Sequence, residues 1–281
     1  LATVNTLLRD CARRLESVSD SPLLDAKLLL CHAFNCSQTE LITRLHDECT
    51  PPDVLELYIQ RRAAYEPIAY ILEKWEFYSL EFAVRPPMLV PRPETEHLVE
   101  AVLVHMDDLH ADIFEIGTGT GCIAISLAVQ APNASIYASD IRLEAVKLAS
   151  ENANHHKVQI TFFAGDLFEA IKMDTTSGLF DVIVSNPPYV ENSAWGNLSP
   201  TIRNYEDVNA LLSGDDGLDC IRRIIRVAPD YLRPGGLLAL ELGETHWPTV
   251  KTLCDQAGLE HCAAHNDLSG LPRILTALKP R

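Results

Sequence analysis

The sequence predicts an α/β fold with a mainly parallel sheet, preceded by a small helical region and a hairpin. Three observations carry the prediction. From residue 111 onward, short apolar runs alternate with helical patterns. A glycine-rich turn, Gly117-Thr118-Gly119-Thr120-Gly121, stands between the first run and the first of those patterns. Up to about residue 65, apolar residues recur at helical spacings instead. Alternating strands and helices fold into a parallel sheet covered on both faces, because each crossover lays its helix on a face.

The elements follow in order. Ser21-Pro22 supplies a cap and a proline at the first helical position, with Leu24, Leu28 and Leu29 on one face. Ser37 and Glu40 have capping-box spacing ahead of Leu41 and Ile42. A third helix opens after Pro52 and carries Val54, Leu57 and Tyr58. The run 77–84 is rich in strand formers and predicts a hairpin. Pro86, Pro87, Pro91 and Pro93 hold an extended connection, since proline restricts itself and its predecessor. From Glu94 a helix begins, with Leu98, Val99, Val102, Leu103 and Met106 three and four apart. Strands are predicted near 112–116, 135–139, 159–164, 180–185 and 237–242, with two more near 260–265 and 273–278. Helices are predicted at 121–130, 142–154 and 217–232. The chain divides accordingly into a helical bundle at 1–66, a hairpin linker at 67–93 and an α/β domain at 94–281.

Composition narrows the function. The chain has 281 residues, enough for one large and one small domain. No stretch approaches the ~20 apolar residues of a membrane helix. The net charge is −16, and after Arg92 there are 13 Lys and Arg against 26 Asp and Glu. A phosphate backbone is gripped by clustered Lys and Arg, so direct nucleic-acid binding is disfavoured. The eight cysteines form no C-x-x-C pair and no Cys/His cluster with zinc spacing, which fits reduced thiols in an intracellular protein and no metal. The first residue is Leu1, so a processed or truncated start is expected.

Two motifs carry the chemistry. In the glycine turn, Gly117, Gly119 and Gly121 let the backbone approach a ligand, and the helix start offers free N–H groups to an anion. Cys122 stands where a dinucleotide motif would place its third glycine, so a small carboxylate suits the turn better than a pyrophosphate. Glu115, which closes the strand before it, is expected among the cofactor-binding residues with Thr118 and Thr120 of the turn and with Asn186 further on. Asp140 lies 23 residues after Gly117. It suits the two hydroxyls of a ribose, or a cap for a helix starting at Ile141. Asp166 could accept from an adenine amino group with Leu167 against the ring, or serve as a turn residue. Glu94 and Glu96 suit a helix start or a cofactor entrance.

The second motif is Asn186-Pro187-Pro188-Tyr189, directly after the apolar run 181–185. An Asn oxygen and a backbone carbonyl can each accept one hydrogen from an NH2 group, and proline supplies no N–H to compete. The Tyr189 ring can stack on a planar substrate. Together the motifs predict methyl transfer from S-adenosylmethionine to an amide or amino nitrogen, by orientation rather than by a strong base.

The chain resembles the HemK/PrmC family of protein-(glutamine-N5) methyltransferases. The likeness lies in both motifs and Asp140, in Arg62 with 66–71, in 89–96, and in 267–270 with Arg273. It implies a seven-stranded, Rossmann-like class I methyltransferase sheet with a helical bundle and a β-hairpin linker. It implies S-adenosylmethionine as donor, S-adenosylhomocysteine as product, and no metal. Its implied substrate is the Gln of the Gly-Gly-Gln motif in a class 1 peptide chain release factor. The Gln amide would meet Asn186 and the Pro187 carbonyl, with Pro188 and Tyr189 beside it. A monomer is expected, without membrane or direct nucleic-acid contact. A translation-termination enzyme of bacterial type with a non-Met start points to the mitochondrial matrix, with bacterial cytoplasm the alternative. Two segments depart from the family pattern: Tyr205-Glu206-Asp207, and Leu271-Pro272 before Arg273.

Three other readings compete. An adenine-N6 DNA methyltransferase uses related motifs, but the acidic α/β part opposes it. A nicotinamide dehydrogenase lacks its third glycine. A non-catalytic binding module would have little use for Asn186.

Overall fold

The computed structural model describes residues 2–106, 110–171, 180–267 and 269–281. Leu1 and Leu268, which enter the expectations above, lie outside the described residues. In chain order, the first elements are β1 (Ala2–Thr3), α1 (Val4–Leu15), α2 (Pro22–Phe34), α3 (Gln38–Thr43) and β2 (Glu48–Cys49). Next come α4 (Asp53–Ala63), α5 (Ile68–Leu72), β3 (Lys74–Phe77), β4 (Leu80–Ala83), α6 (Glu96–His105) and β5 (Asp112–Ile116). Then follow α7 (Cys122–Gln130), β6 (Ser135–Asp140), α8 (Leu143–His156), β7 (Ile160–Ala164) and β8 (Phe180–Ser185). The last are α9 (Pro200–Tyr205), α10 (Asp219–Tyr231), β9 (Leu232–Glu241), α11 (Trp247–Gln256), β10 (Glu260–Asn266) and β11 (Pro272–Leu278).

The chain forms two compact units, Leu1–Lys74 with Ser199–Glu206, and Trp75–Leu198 with Asp207–Arg281. In the first unit, α1 buries Val4, Leu8, Cys11 and Leu15, a clean three-and-four stripe. The Ser37–Glu40 capping box forms: the Ser37 hydroxyl accepts from Glu40 N at 3.2 Å, and Glu40 accepts from Ser37 N at 2.7 Å. Two apolar faces differ from the sequence expectation. In α2, Leu29 and Leu30 are buried while Leu24 is 47% exposed. In α4, Leu55 and Ile59 are buried, whereas Val54 and Leu57 face outward. Each helix carries apolar residues on more than one side, so periodicity leaves the inward face open and packing selects it. Arg62 is also buried, where its Nε donates to Asp25 at 2.7 Å and ties α4 to α2. The 199–206 segment joins this unit across a long stretch of sequence; the Tyr205 hydroxyl donates to the Ala64 carbonyl at 2.9 Å.

The second unit holds a seven-stranded sheet in the order β10-β11-β9-β8-β5-β6-β7. The five strands from β5 to β9 are parallel, and β10 and β11 are antiparallel. Side chains alternate between the faces, as period two requires. Ile113, Val182 and Val184 join α6 and α7 on one face. Phe114, Ile116 and Ile183 join α10 and α11 on the other. Helix α7 buries every residue from Cys122 to Ala128, which explains its lack of a polar face. Helix α11 is not among the predicted helices, because it buries only Val250 and Cys254 and so shows little periodicity. The hairpin is β3 and β4, joined by Tyr78 and Ser79 at φ 51° and 59°. That two-residue turn lacks the Asn-Gly signal, so the sequence shows the second strand and hides the first.

From β5 the chain builds outward to β6 and β7, then returns to place β8 on the other side of β5. Such a reversal opens a crevice beyond the carboxyl ends of the strands, where ligands bind in α/β sheets.

Candidate active site

A cavity of about 790 Å³ lies at that reversal. Its wall comes from the turns after β5, β6, β7 and β8, with Met88, Thr95 and residues near 207–223. Its volume matches small-molecule and cofactor sites.

The glycine turn is built on β6. Gly117 N and Thr118 N both donate to the Ser139 carbonyl, at 2.8 and 2.9 Å. Gly117, Thr118, Gly119 and Thr120 line the cavity. Gly119 has φ +54°, and a Cβ there would meet nothing within 4 Å, so its open side is free for a ligand. Gly121 has a different role from the expected one. It is absent from the wall, and a Cβ on it would sit 3.0 Å from both Ala149 Cβ and Ile125 Cδ1. It is glycine so that α7 can pack against α8.

Asp140 ends β6 on the wall. Its Oδ2 accepts from Gly119 N and its Oδ1 from Arg142 N, both at 2.9 Å. Each carboxylate oxygen has two lone pairs, so each retains capacity for a ligand hydroxyl. Helix α8 starts at Leu143, not Ile141, and Asp140 makes the turn before it rather than its cap. Burial raises the Asp140 pKa against these two donors.

Glu115 lies behind the turn rather than on the wall. It is fully buried, and its Oε2 accepts from the Thr118 hydroxyl at 2.5 Å. Among the described residues its Oε1 has no hydrogen-bond partner. Burial pushes its pKa up to about 8. Glu115 therefore supports Thr118 and does not reach the cavity.

Asp166 and Leu167 both line the cavity after β7. Asp166 pairs with Arg223 of α10 at 2.6 Å. Leu167 has φ 49°, an unusual value for a residue with a side chain, at the bend that brings it to the wall.

Asn186, Pro187 and Pro188 line the cavity directly after β8. Ser185 anchors that turn by donating to the Ile116 carbonyl at 2.7 Å. The Asn186 Nδ2 donates to the Thr95 hydroxyl oxygen at 3.1 Å, and the Thr95 hydroxyl donates to Glu241 Oε2 at 2.6 Å. Tyr189 differs from its expected place. It is off the wall, its hydroxyl donates to Glu241 Oε1 at 3.1 Å, and its ring meets His246 edge-on at 6.5 Å. Burial and the neighbouring Glu241 raise its pKa. Its partly buried ring packs against the apolar cluster on the α10 and α11 side, and its hydroxyl is held by this network.

Sequence reasoning missed four residues of the site: Thr95, Glu241, Arg142 and Asp207. Thr95 sits between Glu94 and Glu96, which drew attention as acids; Glu96 instead accepts from Tyr78 N at 2.8 Å. Glu241 carried a readable signal, a single acid at the end of the apolar run 237–242. Asp207 belongs to one of the departures from the family pattern. It pairs with Arg142, and both line the cavity. The other departure leads into β11, where Asp267 accepts from Leu271 N and Arg273 Nε, both at 3.0 Å.

The sheet order, the glycine turn and the cavity at the reversal define a class I methyltransferase. The Methyltransferase small domain model matches residues 94–199, and the PrmC N-terminal domain model matches 6–72. The chain is 37% identical to the release factor glutamine methyltransferase of Nitratidesulfovibrio vulgaris, over 98% of this chain and 95% of that one. It is 38% identical to that of Vibrio cholerae, over 97% and 95%. It is 34% identical to that of Bacillus anthracis, over 89% and 90%. The chain belongs to the release factor glutamine methyltransferase family, also called HemK/PrmC. Among solved structures, a methyltransferase from Pyrococcus furiosus shares the fold with a TM-score of 0.52 at 20% identity, covering 80% of this chain and 98% of its own. The Thermus thermophilus 16S rRNA N2 G1207 methyltransferase, solved with AdoMet and guanosine, shares it at 0.53 and 18%, covering 73% and 49%.

Proposed function

We propose that this enzyme methylates the side-chain amide N5 of the Gln in the Gly-Gly-Gln motif of a class 1 release factor. S-adenosylmethionine supplies an electrophilic methyl group when bound. The observation that carries the reading is Asn186, a carboxamide on the cavity wall whose NH2 end is tied down behind it. A carboxamide so held offers an acceptor to another amide.

The cavity suits the donor. Gly117, Thr118, Gly119 and Thr120 present a backbone edge with open space at Gly119, matching the amino-acid end. Asp140 retains lone pairs for ribose hydroxyls, and Asp166 with Leu167 suits the adenine. Asn186 and Pro187 would hold the Gln amide, with Pro188 shaping the wall. An amide nitrogen is a weak nucleophile, so these residues act by fixing its direction of approach. In this reading the 1–66 bundle recognises the release factor, and the enzyme works as a monomer without direct nucleic-acid contact. No helix among the described residues is long and apolar enough to cross a membrane. The three relatives named above are bacterial, which favours a bacterial cytoplasm over the mitochondrial matrix expected from the sequence.

The test is transfer of labelled methyl from S-adenosylmethionine to purified release factor, beside a Gln→Ala variant of its Gly-Gly-Gln motif. Label on the unaltered factor alone supports the proposal; equal label on both refutes it. Asp140→Ala is expected to weaken calorimetric cofactor affinity on the order of 10²-fold, since two partly buried N–H groups lose their acceptor along with the ribose contacts. Unchanged affinity would remove Asp140 from the ribose site.

A further inference from the structure

We infer that Thr95 and Glu241 are positioning residues that decide which end of the Asn186 carboxamide faces the cavity. The inference rests on the proposed function and deepens it.

An Asn side chain has an acceptor end and a donor end of nearly equal size. Held only by shape, it presents either. The hydrogen-bond chain behind Asn186 removes that freedom. Glu241 is 1% exposed, at the end of β9. As a carboxylate it only accepts, and two hydroxyls donate to it, Tyr189 to Oε1 and Thr95 to Oε2. Thr95 is equally buried, at 2% exposed, and its hydroxyl carries one hydrogen, which is committed to Glu241. Toward Asn186 the Thr95 oxygen can therefore only accept. The Asn186 end at 3.1 Å from it must be the NH2. The carbonyl Oδ1 is left as the end available to the cavity.

That orientation has a chemical consequence. Oδ1 can accept from a substrate NH2 and repels a substrate carboxylate. With the amide turned over, an NH2 would face the substrate: it would oppose Gln and attract Glu. Glu241 behind the wall and Thr95 at its edge would thus set the preference for a carboxamide over a carboxylate through the orientation of Asn186. Burial raises the Glu241 pKa, and the two hydroxyls that donate to its carboxylate oppose that rise. Arg273, next to the residue that pairs with Glu241 across β9 and β11, brings a positive charge that opposes the effect of burial.

Two variants test this. Thr95→Val keeps the shape and removes the hydroxyl. Glu241→Gln keeps the shape and adds a donor, which can reverse the chain by donating to Thr95. Each is compared with wild type for kcat on the release factor, for binding of that factor and of its Gln→Glu variant, and for S-adenosylhomocysteine affinity. The expected result is a kcat lowered on the order of 10²-fold, a Gln over Glu binding preference reduced about 10-fold, and unchanged S-adenosylhomocysteine affinity. Thr95→Ser, which keeps the hydroxyl, should leave all three at their wild-type values. A merely structural role would lower kcat and stability without moving the Gln over Glu preference. That result, or variants equal to wild type in kcat and preference, would overturn the inference alone. A wild-type enzyme that fails to label the factor would overturn the proposed function, and this inference with it.

Discussion

Asn186→Ala is expected to lower methyl transfer on the order of 10²- to 10³-fold while leaving cofactor affinity within about twofold. The change removes the carboxamide from the wall and leaves the Thr95 oxygen without its donor. Thr95 still donates to Glu241, so the strand ends stay joined and the fold should persist. The glycine turn and Asp140 do not contact Asn186 through any of the hydrogen bonds described above, which is why cofactor binding should survive. Under the proposed function, what disappears is the acceptor for one N–H of the substrate amide, which sets its direction of attack. Single-turnover rates with labelled donor, beside calorimetry with S-adenosylhomocysteine, separate the two effects. Turnover equal to wild type would rule out Asn186 as the amide clamp. Loss of cofactor affinity in proportion to rate would reassign it to the donor site.

The second large effect concerns stability and pH. Glu115 is fully buried, and its pKa is pushed from 4.5 up to about 8 by loss of solvent. Thr118 offsets this in part by donating to Oε2, and the charge on Asp140 adds to the rise. Between 4.5 and about 8 the folded chain keeps this proton, whereas the unfolded chain has released it. Stability from this group is therefore fully present below the unfolded value and falls as pH rises through the folded one. Each pH unit of that window corresponds to about 1.4 kcal/mol, so the loss amounts to several kcal/mol. Glu115→Gln has no such proton. Urea unfolding at pH 5 and pH 8 should show the variant gaining on wild type as pH rises, with the other titrating groups cancelling between the two chains. Parallel pH dependences would mean that Glu115 ionises in the folded protein like an exposed carboxylate.

Much of the α/β unit was legible because its signals are local. The seven strands read as apolar runs, and their predicted positions agree with the observed ones within a few residues, except that β9 starts five residues early, at Leu232. The positions of the candidate site residues at strand ends were legible for the same reason, since each follows an apolar run: the glycine turn after β5, Asp140 at the end of β6, Asn186 after β8. The inward faces of α2 and α4 were not, because periodicity cannot choose between two apolar sides. Helix α11 was hidden by its short buried stripe.

By itself the sequence determined the alternation of strands and helices, the glycine turn after β5, and the presence of the Asn186-Pro187-Pro188-Tyr189 motif after β8, because each depends on neighbours in the chain. Tertiary structure decided what stands behind that motif. Thr95 and Glu241 are 146 residues apart and meet only because β9 pairs with β8 and the start of α6 packs across their ends. Tertiary structure also gave Gly121 to helix packing, Glu115 to the interior and Tyr189 to the Glu241 network. Those roles depend on which side chains are excluded from water together, and that is set by the packing of distant segments rather than by any local pattern.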